Sequence, residues 1–156
     1  MTALIREATP ADLDTVVRFN LALAAESESR ELDEDLLTAG VAALLADDEK
    51  GSYFLAEKDG EVIAQTMITY EWSDWRNGNF WWIQSVYVAA EHRGTGVFSQ
   101  LYRHIHRLAL DTPSVCGLRL YVDQENQQAA DIYRALGMQD ARYDMLEVDF
   151  RLGGAH

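Results

Sequence analysis

One stretch of the chain, residues 84–99, reads QSVYVAAEHRGTGVFS and is the clearest indicator of the architecture. It begins in an apolar, β-branched run that predicts a strand, passes through a polar turn ending in Arg93-Gly-Thr-Gly96, and continues at helical spacing. A strand, a glycine turn and a helix in this order offer unpaired backbone N–H groups and the positive end of a helix dipole to an anion. Gly94 and Gly96 let the backbone approach a phosphate closely, and Arg93 adds a fork of donors.

Two familiar phosphate-binding turns do not fit this sequence. The chain has no Gly-x-x-x-x-Gly-Lys-Ser/Thr, which excludes a P-loop. The dinucleotide fingerprint Gly-x-Gly-x-x-Gly begins at Gly94 but has Ser99 at the position of its third glycine. Taken alone, the Gly-x-Gly turn also fits an ordinary strand-to-helix connection. The surrounding residues are therefore needed to distinguish a phosphate site from such a connection.

Those residues resemble one family at two separate places. Arg93-x-x-Gly96 directly after a Val-x-Val strand resembles the Gln/Arg-x-x-Gly-x-Gly/Ala motif of the GNAT superfamily of acetyl-CoA-dependent N-acetyltransferases. Farther along, Asn126-x-x-Ala129-x-x-x-Tyr133 with a closing Leu-Gly-Met resembles a second motif of the same superfamily. One position departs from the pattern, because Phe98 stands where the first motif ends in a small residue.

The rest of the chain predicts alternating strands and helices. Apolar runs predict strands at residues 3–8, 52–58, 61–70, 80–88, 117–122 and 141–150. Helices are predicted to begin at Thr9-Pro10, within the acidic segment 26–35, at Gly94 and at Asn126, and residues 71–79 are expected to form a polar, aromatic loop. The resemblance implies a single domain over residues 1–156 with an α/β (α+β) three-layer fold. Its central mixed, mostly antiparallel sheet would be splayed between strands 4 and 5.

The resemblance also implies which residues bind acetyl-CoA. The pyrophosphate would lie on the turn and the pantetheine arm between the splayed strands, where we expect a β-bulge near Tyr87 or Val88. The implied cofactor-binding residues are Val86, Tyr87, Val88, Arg93, Gly94, Thr95, Gly96, Val97, Phe98, Ser99, Asn126 and Tyr133.

Two residues of the second motif have alternative interpretations. Asn126 is a preferred helix N-cap residue, and the resemblance makes it also a contact of CoA. Tyr133 lies two helical turns later on the same face. It is either an ordinary core tyrosine or, as the resemblance implies, the general acid that protonates the CoA thiolate. A phenol is well matched in pKa to a thiolate leaving group.

The general base is harder to assign. Relatives often carry an acidic residue on the strand before the turn, but this chain has Trp82 and Gln84 there. Glu71 is the best substitute and Asp74 the second. Either could act through an ordered water, which Ser85 could orient, and both could equally be solvated loop carboxylates.

The charge composition limits the classes of partner that the protein can bind. The chain has 13 basic and 26 acidic residues, a net charge of −13, which argues against nucleic acid and anionic membranes as partners. An acidic surface suits a cationic acceptor, although many enzymes are simply acidic. Candidate acceptor-binding residues are Glu31, Trp72, Asp74 and Trp75. A homodimer is expected because relatives commonly pair.

Some other features of the chain are expected to be absent. The single cysteine, Cys116, excludes an internal disulfide and a cysteine-built zinc site, and no metal is expected. The N-terminus lacks the features of a signal peptide, and no apolar run is long enough to span a bilayer. A cytoplasmic location is therefore expected.

The resemblance thus implies an N-acetyltransferase in which a primary amine attacks acetyl-CoA directly in a ternary complex, and the acidic composition predicts that this acceptor is a small cationic amine. A non-catalytic acyl-CoA-binding sensor or interaction module is the alternative. Acetyl transfer to an amine distinguishes the two.

Overall fold

A computed structural model describes residues 2–151. The chain divides into two compact units, one up to Tyr121 and one from Val122. The first unit contains strands β1 (Leu4–Glu7), β2 (Ser52–Lys58), β3 (Glu61–Ser73), β4 (Gly78–Val88) and β5 (Val115–Arg119), with helices α1 (Leu13–Glu28), α2 (Glu34–Leu45) and α3 (Val97–Leu110). The second contains α4 (Gln127–Ala135).

The first unit has the predicted three layers. Its sheet has the strand order β1-β2-β3-β4-β5, antiparallel throughout except for the parallel β4–β5 pair. On one face, Val16 and Val17 of α1 and Val41 of α2 pack with Tyr53 and Leu55 of β2. On the other face, α3 buries its apolar stripe, and the ring of His104 lies 5.9 Å from that of Phe54. The mixed, mostly antiparallel sheet of the prediction is confirmed.

The acidic segment 26–35 differs from its prediction as the start of a helix. Helix α1 continues through Glu28 and ends at Ser29, whose φ of 49° is left-handed. Helix α2 begins only at Glu34, after Asp33 has capped it by accepting a hydrogen bond from the Leu36 N–H at 3.1 Å. An N-cap carboxylate inside the acidic segment divides it between a helix end, a connection and a helix start.

The aromatic loop predicted at residues 71–79 is mostly strand. β3 runs to Ser73 and β4 begins at Gly78, so the reversal is confined to the four residues between them. Trp72 pairs with Asn79 and Glu71 with Phe80 across this hairpin. Tryptophan has a high strand propensity. The polar residues between the tryptophans led to the prediction of a loop instead.

Strand β5 lies two residues earlier than expected and is shorter. It covers Val115–Arg119, and the predicted residues up to Val122 are not in strand conformation. β5 pairs with β4 only as far as Trp82↔Arg119, whereas β4 continues to Val88. Within the described residues, the last six residues of β4 therefore have no β5 partner, which is the predicted splay.

The second unit corrects one prediction. Helix α4 is capped by Asn126, and Gly137 follows it with φ 103°, as the sequence indicated. Residues 141–150 were predicted as a strand, but they are not in strand conformation in the structure. Their apolar side chains are exposed, from 59% at Met145 to 93% at Leu146. Alternation alone does not make a strand, because a strand also needs a neighbour for its backbone groups.

Two further properties belong to the described part of the chain. No helix in residues 2–151 is long and apolar enough to cross a membrane. The same residues contain no group of three or more His, Cys, Asp or Glu side chains that could hold a metal ion. Residues 152–156 lie outside the described residues.

Candidate active site

The predicted phosphate turn connects β4 to α3. A 3-10 turn at Ala90–His92 leads to Gly94 and Gly96, whose φ angles of 74° and 84° are left-handed. A Cβ built on either glycine meets no atom of residues 2–151 within 4 Å, so both face open space in the described part of the chain. The first hydrogen bond of α3 runs from the Gln100 N–H to the Gly96 carbonyl at 3.1 Å. The amides before it are those that a helix start can offer to an anion.

Arg93 is held in place by three groups. Its Nε donates to the Val88 carbonyl at 2.9 Å, and its Nη2 donates to Glu26 Oε1 at 2.6 Å. The guanidinium carbon lies 5.4 Å from the centre of the Tyr87 ring. About half of each partner in the Arg93–Glu26 ion pair is exposed, so an anionic ligand could displace Glu26 at modest cost.

Glu26 also connects the turn to β4. Its Oε2 accepts a hydrogen bond from the Tyr87 hydroxyl at 2.8 Å, and the Tyr87 ring lies 5.1 Å from that of Phe19 in α1. The Arg93 and Tyr87 hydrogen bonds lower the pKa of Glu26. Burial and the Glu26 carboxylate raise the pKa of Tyr87. Tyr87 is thus a neutral phenol beside a carboxylate, on the α1 side of the sheet.

The predicted β-bulge is present, two residues before its expected place. Met67 pairs with Gln84 and Gln65 with Tyr87, so Ser85 and Val86 together face Thr66. The φ of Ser85 is 52°, which is rare for a residue with a side chain. Two fully buried residues of β3 hold the bulge: Thr66 Oγ1 donates to the Gln84 carbonyl at 3.0 Å, and Gln65 Nε2 donates to the Ser85 carbonyl at 3.1 Å.

Glu71 has two donors on one oxygen. Trp82 Nε1 and Arg119 Nη1 each donate to Glu71 Oε1 at 2.9 Å. These hydrogen bonds hold the pKa of Glu71 below its ordinary value. A carboxylate with a lowered pKa is a weaker base. The geometry therefore suits Glu71 better as a fixed negative charge than as a proton acceptor.

The other predicted acceptor residues lie at two places in the first unit. Trp72 is at the end of β3 and is 59% exposed; Asp74 and Trp75 are in the turn after it, where Trp75 is 87% exposed. Glu31 lies between α1 and α2. There it lines an open depression of about 410 Å³ together with Leu21, Ala25, Ser29, Arg30 and Leu32.

The residues of the second motif lie in the second unit. Asn126 Oδ1 accepts a hydrogen bond from the Ala129 N–H at 3.1 Å, so the N-cap interpretation is confirmed, and its role as a CoA contact stays a prediction. Burial raises the pKa of Tyr133, which keeps the phenol protonated. Phe98, the departure from the first motif, packs one turn along α3 with its ring 6.4 Å from that of Tyr102.

Sequence reasoning missed several contacts at this site. Glu26 was grouped with other acids, but its partner is Arg93. Arg119 was taken as part of an apolar strand, and it pairs with Glu71. Two features of the sequence could have indicated such contacts, because buried polar groups need partners. Arg119 lies inside an apolar run and pairs with Glu71. Asn20 lies on the apolar stripe of α1, and its side chain donates to the Tyr53 hydroxyl.

Several known proteins similar to this chain are named as acetyltransferases. A family model described as the acetyltransferase (GNAT) family matches residues 17–138. A thialysine N-epsilon-acetyltransferase of Sus scrofa is 29% identical over 151 residues, 89% of this chain and 85% of that protein. The protein of the same name from Bos taurus is 34% identical over 79 residues, 51% of this chain and 45% of that protein.

A solved structure is similar over almost the whole chain. It is the crystal structure of a possible acetyltransferase from Clostridium difficile 630, with 48% sequence identity and a TM-score of 0.89. The similarity covers 96% of this chain and 98% of that one.

Proposed function

Because the chain belongs to the GNAT family of acetyltransferases, we propose that it transfers the acetyl group of acetyl-CoA to a primary amine by direct attack in a ternary complex. The observation that carries this proposal is the glycine turn, which faces open space at the start of α3 and follows the end of β4 that pairs with β3 but, within the described residues, not with β5. A turn of this kind binds phosphate. A strand edge without a neighbour can bind an extended arm through its backbone groups.

The turn residues Gly94 to Ser99 are the proposed pyrophosphate site. Arg93 would exchange Glu26 for a phosphate oxygen, because a more highly charged anion competes well for an exposed guanidinium. The pantetheine arm would run along Val86, Tyr87 and Val88, the part of β4 that has no β5 partner. Asn126 is proposed as a further CoA contact.

Proton transfer at the thioester end is assigned to Tyr133. Departure of CoA as a thiol requires a proton donor near the sulfur. Because burial raises the pKa of Tyr133 above its ordinary value, this side chain carries its proton at neutral pH. A protonated phenol supplies the proton without any further activation.

The acceptor is proposed to be a small amine with at least one positive charge. The net charge of −13 and the exposed Trp72 and Trp75 at the β3–β4 hairpin support it, since carboxylates attract a cation and an indole face stabilises it. The similarity to thialysine N-epsilon-acetyltransferases supports testing lysine-like side-chain amines together with polyamines. Glu71 would serve as a counter-ion, and proton removal from the amine through water is then the simplest route.

We expect charge changes at the acceptor residues to alter amine recognition. Glu71→Gln and Glu31→Lys should each raise the Michaelis constant for the best amine, and added salt should raise it in the unaltered protein, because screening weakens attraction between exposed charges. Steady-state kinetics at two ionic strengths provides the measurement. A Michaelis constant that neither variant nor salt changes would place the acceptor among neutral amines.

A free-thiol assay tests the proposed function directly. Acetyl-CoA is incubated with the protein and with polyamines, lysine analogues, aminoglycosides or N-terminal peptides, and thiol release is followed. Release that depends on an amine supports the transferase. Binding of acetyl-CoA without thiol release in the presence of any amine supports the acyl-CoA-binding module. The lowered pKa of Glu71 is consistent with that alternative, because it makes Glu71 a weak general base.

A homodimer is the proposed assembly. Residues 141–150 expose Tyr143, Leu146, Val148 and Phe150 by 78% or more, and an apolar surface of this extent is typical of a protein interface. We expect sedimentation at micromolar concentration to show a dimer, and Leu146→Glu with Val148→Glu to shift it toward monomer. Leu110→Glu, at a 75% exposed position of α3, is the matched control and should leave the dimer intact. A wild-type monomer would reject the assembly.

A further inference from the structure

The bulge in β4 places one hydroxyl at an unusual position. Ser85 has a left-handed backbone within a strand, and its side chain is half-buried. A residue with a Cβ adopts this conformation at a cost of about 1–3 kcal/mol, and such residues are found preferentially at functional sites. The cost identifies Ser85 as a residue whose placement the surrounding structure enforces.

A buried polar pair lies behind this hydroxyl. Tyr53 and Asn20 are only 4% and 7% exposed, and Asn20 Nδ2 donates to the Tyr53 hydroxyl oxygen at 3.1 Å. The Ser85 side chain hydrogen-bonds to the same phenol. Burial raises the pKa of Tyr53, so the phenol stays neutral and acts by holding its neighbours in position.

The backbone of the bulge does not depend on these side chains. Gln65 and Thr66 already satisfy the carbonyls of Ser85 and Gln84, and Asn20 Nδ2 also has the Val16 carbonyl at 2.9 Å. The Gln84 amide is engaged by Thr69 Oγ1. Tyr53 and Asn20 are therefore not needed to satisfy the carbonyls of Gln84 and Ser85.

We propose that the Ser85 hydroxyl orients the acceptor amine for attack, and that Tyr53 and Asn20 are positioning residues that hold this hydroxyl. The proposal rests on the proposed acetyl transfer. In this proposed role the Ser85 hydroxyl donates to Tyr53 and keeps both lone pairs of its oxygen, so it can accept N–H bonds from a neutral amine. The nitrogen lone pair is then left to attack the thioester carbon.

The chemistry of the step requires such an acceptor. The nitrogen forms a bond to the carbonyl carbon, the C–S bond breaks, the sulfur leaves with the electron pair, and the nitrogen loses one proton. An amine held by its N–H groups reacts in one geometry, and misplacement by about 1 Å can cost about 100-fold in rate. Ser85 lies two residues from Tyr87 on the same strand, in the segment proposed for the pantetheine arm.

Paired substitutions at Ser85 separate the hydroxyl from the backbone. Ser85→Gly removes the hydroxyl and relieves the left-handed strain, whereas Ser85→Ala removes the hydroxyl and keeps the strain. We expect both variants to lose about 10- to 100-fold in kcat and to raise the Michaelis constant for the amine, with acetyl-CoA binding by calorimetry unchanged. A purely conformational role would leave Ser85→Gly fully active.

The buried phenol is tested with a matched control. We expect Tyr53→Phe to reduce kcat in the same direction as Ser85→Gly and the double variant to lose little more than Ser85→Gly alone, since both remove one interaction. Tyr102→Phe removes a phenol that is 5% exposed in α3 and should leave kcat unchanged. Thermal unfolding confirms that each variant is folded.

The outcomes are distinguishable from failure of the proposed function. If the wild-type protein releases no thiol with any amine, the acetyl transfer itself is rejected. If the wild-type protein is active and Ser85→Gly and Tyr53→Phe match it in kcat and in the Michaelis constant for the amine, the role of Ser85 is overturned and the acetyl transfer stands.

Discussion

Gly96→Val is expected to abolish measurable acetyl-CoA binding at micromolar concentrations. The φ of Gly96 is 84°, and a side chain there costs about 1–2 kcal/mol for an ordinary L-residue and more for a β-branched one. The added side chain would also enter the open space in front of the turn, where the pyrophosphate is proposed to lie. Isothermal titration calorimetry of acetyl-CoA provides the measurement.

A second glycine separates the two contributions. Gly60 in the β2–β3 hairpin has a φ of 79° and, like Gly96, has no atom of the described residues within 4 Å of an added Cβ. Gly60→Val therefore has a similar backbone cost outside the turn, and should bind acetyl-CoA with wild-type affinity. Wild-type affinity in Gly96→Val would remove the turn from the binding site.

Tyr133→Phe is expected to lower kcat by about 100-fold, the usual contribution of a general acid. Acetyl-CoA binding should change little, because only the hydroxyl is lost and the ring remains. Since the pKa of Tyr133 is raised, the wild-type rate should lose this contribution only above the ordinary tyrosine pKa, and that alkaline decrease should be missing in the variant. Steady-state kinetics across alkaline pH, with calorimetry for binding, makes the comparison.

Tyr102→Phe is the control for this prediction as well. Burial raises the pKa of Tyr102 too, so it matches Tyr133 in environment without belonging to the second motif. A Tyr133→Phe variant with the activity of Tyr102→Phe would return Tyr133 to a structural role and leave the proton donor unassigned.

The local signals in the sequence predicted most of the fold. The structure confirms the separate strands predicted at residues 52–58 and 61–70 and the strand–glycine–helix segment around Gly94, because neighbouring residues determine both features. The strand prediction for residues 141–150 was wrong because strand formation depends on a neighbouring strand, which the alternation of Tyr143 and Met145 cannot specify. The acidic segment 26–35 was predicted as the start of a helix, but Asp33 is an N-cap residue, so helix α2 begins only after it, at Glu34.

The candidate site was less predictable than the fold. The turn could be identified because a phosphate-binding backbone requires glycines at fixed spacing. The pairing of Glu71 with Arg119 joins residues 48 positions apart, and that of Arg93 with Glu26 joins residues 67 apart. Contacts of this range arise from sheet and helix packing, so the low basicity of Glu71 became visible only in the structure.

Transfer of an isotopically labelled acetyl group tests the central claim most directly. The protein is mixed with acetyl-labelled acetyl-CoA and the best amine, and mass spectrometry follows the label in the amine and in the protein during a single turnover. Direct attack predicts that the label appears in the amine as CoA is released and never becomes covalently attached to the protein. Label retained in acetyl-CoA while the protein binds it, or label attached to the protein before the amine, would contradict the proposed reaction.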